Sequence, residues 1–124
     1  MDATIPVTDS ERNALGKLIA EVAIGKYMSL KATAEANREI GDNARADEFM
    51  EYARRDAPLC VTALVVHLGA CNPVEYARIT EAVKKLGESD GLEMSEEELK
   101  AAIADAIYEG WISEEGGFYK LKVR

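Results

Sequence analysis

The first forty residues carry apolar side chains at helical spacing, behind a signal for the start of a helix. Thr8-Asp9-Ser10-Glu11 has the spacing of a capping box, which predicts a helix that begins near residue 9. Apolar residues then recur as far as Ile40, and Gly41-Asp42-Asn43 ends the pattern. Gly25 lies in the middle, where a glycine costs about 1 kcal/mol relative to alanine. The pattern therefore allows one long helix or two helices joined at Gly25.

The next stretch is helical in pattern but contains a proline. Residues 44–56 form the second predicted helix. Because the ring of Pro58 displaces the preceding helical turn, we expect a break there, with Asp56 capping a new short helix over 57–68. That short segment is apolar almost all round, which is typical of an element in the middle of a core. Gly69 is its expected C-terminal cap.

Two further helix starts follow. Asn72-Pro73-Val74-Glu75 has Asn at the capping position and Pro at the first helical position, which predicts a helix over 72–86, ended by Gly87. Ser95-Glu96-Glu97-Glu98 is a capping box, and its three carboxylates favour the positive end of the helix dipole. It predicts a helix over 95–109.

The end of the chain has the period-two pattern of a β-hairpin. Gly116-Gly117 permits the positive φ angles of a tight turn. The last strand alternates two sets of side chains, Tyr119, Leu121 and Val123 with Phe118, Lys120 and Lys122. We expect one face of the hairpin to be buried and the other to be solvated and basic.

Aromatic side chains concentrate in this last part of the chain: Tyr108, Trp111, Phe118 and Tyr119. We expect them to pack together as a small core beneath the hairpin. The alternative is that Trp111 or Phe118 is exposed and anchors an interface, because aromatic side chains dominate binding hot spots.

Composition places the chain among globular proteins. It has 124 residues, of which 48% are hydrophobic and 31% charged, which suits one domain over 1–124. The longest apolar run, Pro58–Val66, is too short to span a membrane, and the N-terminal residues do not have the pattern of a signal peptide. We therefore expect a cytoplasmic protein with no membrane partner, in which Cys60 and Cys71 are free thiols.

The second half of the chain resembles a winged-helix domain. The segments 57–68, 72–86 and 95–109 are three helices followed by a glycine-containing hairpin, which is the order of that family. The sequence IADAIYEGWISEEGGFYKLKV is similar to its third helix and wing. One departure is a link of about eight residues before the third helix, where a helix-turn-helix has three or four. The resemblance implies a mainly α fold, in which an N-terminal helical hairpin (9–56) packs on a winged-helix-like region (57–124).

The N-terminal region has a fainter resemblance to a single tetratricopeptide repeat. The residues concerned are Gly41, Asp42, Ala46, Phe49, Ala53 and Pro58. One repeat is too few for a stable array. Small residues at these positions are also expected where two antiparallel helices pack closely.

The resemblance to winged helices raises the question of DNA binding, and the charge argues against it. The whole chain has a net charge of −8. Between Glu88 and Glu115 there are ten carboxylates and one cation, Lys100. Phosphate would repel such a recognition helix. Winged-helix domains also serve as protein–protein modules, and the charge pattern resembles that use better.

Motifs for catalysis or cofactor binding are absent from the sequence. His67 is the only histidine, and Cys60, His67 and Cys71 match no standard zinc spacing. No glycine-rich phosphate loop or nucleophile elbow appears. We predict no catalytic, cofactor-binding or metal-binding residues, and no enzymatic activity.

These observations predict a non-catalytic interaction or adaptor module with a protein partner. The predicted contact residues lie on the acidic third helix and the hairpin: Glu96, Glu97, Asp105, Glu109, Trp111, Phe118, Lys120 and Lys122. One alternative is a small transcriptional regulator that binds DNA through the wing. Another is an acidic mimic of nucleic acid that blocks a basic partner. The wide apolar face of the first helix also allows a homodimer.

Overall fold

A computed structural model describes residues 9–69 and 72–122; for residues 9–17, 19 and 20 only the helical backbone is described. Within these ranges the chain forms four helices and a small antiparallel sheet. In chain order they are α1 (Asp9–Glu39), α2 (Asn43–Gly69), β1 (Val74–Glu75), α3 (Tyr76–Asp90), α4 (Glu96–Tyr108), β2 (Ile112–Glu115) and β3 (Phe118–Leu121). The prediction of a mainly α fold with a C-terminal hairpin is confirmed.

Helix α1 is a single helix that passes through Gly25 without interruption. A Cβ atom at Gly25 would meet nothing within 4 Å, so no other segment packs closely enough against this position to require a glycine. Neighbouring residues Ala23, Ile24 and Tyr27 are buried. Packing of this apolar face offsets the low helix propensity of one glycine.

A tight turn folds α2 back along α1, as the sequence predicts. Gly41 has a φ of +84°, and the backbone N–H of Arg45 donates to the Asp42 carboxylate at 3.1 Å. Ala34, Ala46 and Ala53 are buried in this hairpin. Their small side chains let the two helices approach closely.

The expected helix break before Pro58, with Asp56 as a cap, is wrong. Helix α2 continues through Pro58, whose ring is buried. The Thr62 hydroxyl donates to the Pro58 carbonyl at 2.8 Å. A proline inside a helix costs about 3 kcal/mol, whereas each fully buried Val or Leu contributes roughly 1.5–3 kcal/mol. Because the segment Cys60–Val65 is buried throughout, its packing outweighs the cost of the proline.

The predicted helix start at Asn72-Pro73 is also wrong. Val74 and Glu75 form strand β1, which pairs with β3 in the register Val74↔Tyr119 and Glu75↔Phe118. Val74 is fully buried, and the residue that precedes α3, Glu75, makes no side-chain capping bond. Strand pairing across the chain thus overrides a local signal for a cap.

Helix α3 extends past Gly87, where the sequence predicts its end. It ends at Asp90, and Gly91 follows with a φ of +81°, its N–H donating to the Leu86 carbonyl. The link to α4 therefore consists of residues 91–95, shorter than the expected eight-residue loop.

Helix α4 and the hairpin have the predicted structures. The Ser95 hydroxyl accepts from the backbone N–H of Glu98 at 3.1 Å, and the Glu98 carboxylate accepts from the N–H of Ser95 at 3.0 Å. Gly116 and Gly117 have φ angles of +59° and +85° and join β2 to β3. The strand order in the sheet is β1-β3-β2.

One continuous apolar core joins the two halves of the chain. It includes Tyr27 from α1, Leu64 from α2, Ile79 from α3, Leu99 from α4 and Ile112 from β2. None of the helices, over the residues the structure describes, is both long and apolar enough to cross a lipid bilayer.

Candidate interaction surfaces

The N-terminal turn of α4 is attached to α1. The Lys31 ammonium lies 2.8 Å from the Glu98 carboxylate and also donates to the Glu93 carbonyl. The hydroxyl of the buried Tyr27 donates to Glu98 at 3.4 Å. Burial acts to raise the pKa of Glu98, but the hydrogen bonds from Lys31 and Ser95 and the charge of Lys31 outweigh it and lower the pKa. The Glu98 carboxylate therefore serves to hold the start of α4 against α1.

A groove with a volume of about 430 Å³ lies on the surface between α2 and α4. We call it the acidic groove. Its lining residues are Asp47, Met50, Glu51, Ala53, Arg54, Ala57, Glu97, Glu98, Ala101, Ala102 and Asp105. Met50 and the exposed Ala101 supply accessible apolar surface, the buried Ala53, Ala57 and Ala102 form the floor, and carboxylates supply most of the charge. The sequence indicates the exposed carboxylates of α4 but not this groove, because the groove exists only where α2 and α4 lie side by side.

The second surface is the solvent-exposed side of the sheet, which we call the outer face. Because opposite residues in paired strands point to the same side, the register places Glu75, Phe118 and Glu115 together. Lys120 and Ser113 lie beside them, and the alternation of side chains also places Pro73, Trp111 and Lys122 on this face. A depression of about 470 Å³ on the outer face is lined by Pro73, Ser113, Glu115, Phe118 and Lys120.

The structure distributes the eight predicted contact residues over different surfaces. Glu97 and Asp105 line the acidic groove. Glu96 lines a separate cleft between α3 and α4, where its carboxylate pairs with Lys100 at 3.3 Å. Glu109 is exposed at the C-terminal cap of α4. The remaining four residues share the outer face: Trp111, Phe118, Lys120 and Lys122.

The expected aromatic core beneath the hairpin is wrong. Of the four aromatic residues in this part of the chain, only Tyr119 turns inward. Its ring lies 6.4 Å from that of Tyr76 on α3. Phe118 is 43% exposed, Trp111 is 38% exposed, and Tyr108 at the end of α4 is 88% exposed. The inner positions of the sheet are instead filled by aliphatic residues such as Ile112 and Val74.

Charge differs between the two surfaces. The acidic groove has five carboxylates and one cation, Arg54, which is held by hydrogen bonds to Glu51. The outer face has Lys120 and Lys122 beside its aromatic side chains, and Glu75 and Glu115 as well. The outer face is thus mixed in charge and partly apolar, so the prediction of a solvated basic face is wrong, whereas the groove has an excess of carboxylates.

The described side chains bring together no group of three metal-ligating residues. His67 is exposed near the end of α2, and Cys60 is fully buried. Burial raises the pKa of the Cys60 thiol to about 12, with a further contribution from the charge of Asp56. Such a thiol is a poor nucleophile at neutral pH. Cys71, which is close to Cys60 and His67 in the sequence, lies outside the described residues.

Comparisons with known proteins return no match: no family model, curated protein or solved structure is significantly similar to the chain.

Proposed function

We propose that the chain is a non-catalytic protein-interaction module that binds its partner through the outer face of the sheet. The observation that carries this proposal is the outward position of Trp111 and Phe118, each more than a third exposed on one side of the sheet. Aromatic side chains are enriched in protein interfaces, where a few buried residues surrounded by a polar rim carry most of the binding energy. Lys120, Glu75 and Glu115 provide such a rim.

We further propose a winged-helix-like arrangement for the second half of the chain. The order of α2, α3, α4 and the hairpin supports it, and so does the short link over residues 91–95. In this proposal α4 occupies the place of the recognition helix, and the β2–β3 hairpin is the wing.

The charge and contacts of α4 favour a protein partner over DNA. In helix-turn-helix proteins the first residues of the recognition helix contact base edges. Here those residues are Glu96, Glu97 and Glu98, and Glu98 is bound to Lys31 of α1. Phosphate groups would be repelled by this turn.

The proposal includes a cytoplasmic location, where thiols such as that of Cys60 stay reduced.

The test is recovery of a partner from an extract of the native host, with the tagged chain as bait. Wild type should recover a specific protein, and the double variant Trp111→Ala/Phe118→Ala should lose it. Tyr52→Ala is the matched control, because Tyr52 is an equally exposed aromatic residue on α2. Equal recovery by the double variant and wild type would refute binding through the outer face.

Three further measurements separate the alternatives. A DNA-binding wing predicts duplex binding that weakens steeply with salt and is lost in Lys120→Glu/Lys122→Glu. If the chain mimics nucleic acid, it should capture a basic protein in a salt-sensitive way. Glu97→Lys should weaken this capture, and Trp111→Ala should leave it unchanged. Light scattering of the purified chain tests the homodimer. Selective duplex binding at physiological ionic strength would overturn the choice of a protein partner.

A further inference from the structure

We propose that the acidic groove is a second binding site, which accepts a basic amphipathic helix from a partner protein. This site is separate from the outer face of the sheet and goes beyond the function proposed above. It would make the chain an adaptor with two contact surfaces of different chemistry.

The dimensions of the groove fit a helix. Its walls run from Asp47 to Ala57 on α2 and from Glu97 to Asp105 on α4. At 1.5 Å per residue these walls are about 15 Å and about 12 Å long, which corresponds to two or three helical turns. A third helix can pack into the groove between two neighbouring helices.

Small side chains make close approach possible. Ala53, Ala57 and Ala102 are buried and form the floor of the groove, whereas Ala101 is exposed at its α4 wall. Met50 lies at one end of the groove and is 36% exposed, so part of its side chain is accessible to a bound helix. Methionine adapts its shape readily to a bound apolar surface. The apolar face of an incoming helix would therefore find apolar surface in the groove.

The charged residues at the edge of the acidic groove indicate which charge a bound helix should carry. Arg38 lies 3.6 Å from Asp47, Arg54 pairs with Glu51, and Lys31 pairs with Glu98. Among the residues that the structure describes, no lysine or arginine lies within 4.0 Å of the carboxylates of Glu97 and Asp105, and Arg54 interacts with the charge of Asp105 only at longer range. These two residues are eight positions apart on α4, about 12 Å along its axis. A helix with two cationic side chains at a similar spacing would complement both.

The probe is a synthetic peptide of about 18 residues, long enough for about five turns, with leucine on one face and lysine on the other. Binding to the full chain is measured by isothermal titration calorimetry, and the site is mapped by amide chemical shifts. We expect saturable binding with shifts concentrated in 47–57 and 97–105. Two control peptides are needed: a scrambled peptide of the same composition, and a version with glutamate in place of lysine.

Two pairs of variants locate the site. Ala101→Phe fills the groove without changing charge and should weaken binding at least about tenfold. Ala104→Phe is its control, because Ala104 is equally exposed on the same helix but lines a different cleft. Glu97→Gln/Asp105→Asn should weaken binding about fivefold. Glu96→Gln/Glu109→Gln removes the same charge outside the groove and should have a smaller effect.

The outcomes are distinct. Loss of affinity in the groove variants with retention in their controls supports the site, whatever the fate of the outer-face proposal. Equal binding of the scrambled peptide would show attraction to net charge alone and would overturn the proposal. Absence of saturable binding, or shifts outside the groove, would overturn it as well. If Ala101→Phe fails to fold, the charge variants decide the question.

Discussion

Lys31 in the C-terminal third of α1 and Glu98 in the first turn of α4 form an ion pair with a separation of 2.8 Å. The Lys31 side chain is only 13% exposed, while that of Glu98 is 40% exposed. Glu98 also completes the capping box of α4 with Ser95. One carboxylate therefore both starts α4 and attaches it to the N-terminal hairpin.

The Lys31–Glu98 pair can be measured by a double-mutant cycle. Lys31→Met and Glu98→Gln should each lower the free energy of unfolding, and glutamine keeps the ability to accept the capping bond. We expect a coupling energy of about 0.5–1 kcal/mol, because Glu98 is partly solvated. The measurement is urea unfolding of wild type, both single variants and the double variant. Strict additivity of the two changes would mean that the ion pair contributes nothing.

The lowered pKa of Glu98 predicts a dependence of stability on pH. Its pKa lies below the ordinary value of 4.5 in the folded state, because Lys31 and Ser95 outweigh the effect of burial. The stabilisation is therefore fully present above the unfolded-state pKa and is lost as pH falls through the folded-state pKa. Between about pH 6 and about pH 3, wild type should lose more stability than Glu98→Gln. Equal losses would show that Glu98 does not contribute to acid sensitivity.

The cap at Ser95 predicts a local loss of stability. Ser95→Ala removes the acceptor for the N–H of Glu98 and should cost about 1 kcal/mol in urea unfolding. Ser95→Asp should retain most of the stability, because aspartate is an equally good cap. Ser89→Ala is the control, since Ser89 is exposed within α3 and should change stability little. A loss at Ser89 as large as at Ser95 would argue against the cap.

Two helical glycines should respond in opposite ways to alanine. At Gly25 a Cβ meets nothing within 4 Å, so Gly25→Ala should raise the free energy of unfolding by about 0.5–1 kcal/mol. At Gly69 a Cβ would lie 2.5 Å from Cγ2 of Val74, a fully buried residue of β1. Gly69→Ala should therefore destabilise the protein despite the gain in helix propensity. Thermal unfolding of both variants tests this, and stabilisation by both would contradict the contact between α2 and β1.

Burial of Cys60 predicts a thiol that reacts only when the protein unfolds. Its pKa is raised to about 12, so almost no thiolate exists at neutral pH, and the side chain is fully buried. In a Cys71→Ser background, a disulfide reagent should label Cys60 slowly in buffer and rapidly in denaturing urea. Fast labelling under native conditions would show that the α2 core opens readily.

The sequence determined those parts of the fold that depend on neighbours along the chain. Ser95 and Glu98 close a capping box within one turn, and Gly116-Gly117 forms a hairpin within a few residues. Such bonds are local, so their residue types and spacing are sufficient evidence. The acidic character of α4 is also a property of sequence.

Only the tertiary structure decided features that join distant segments. Val74 pairs with Tyr119, and this pairing turned a predicted helix start into strand β1. The packing of α2 made Pro58 part of a continuous helix. Packing left Trp111 and Phe118 exposed instead of in an aromatic core, and the position of α2 beside α4 created the acidic groove. At Pro58 and Val74, burial or pairing across the chain outweighed a local preference of about 1–3 kcal/mol, and no short sequence window contains that information.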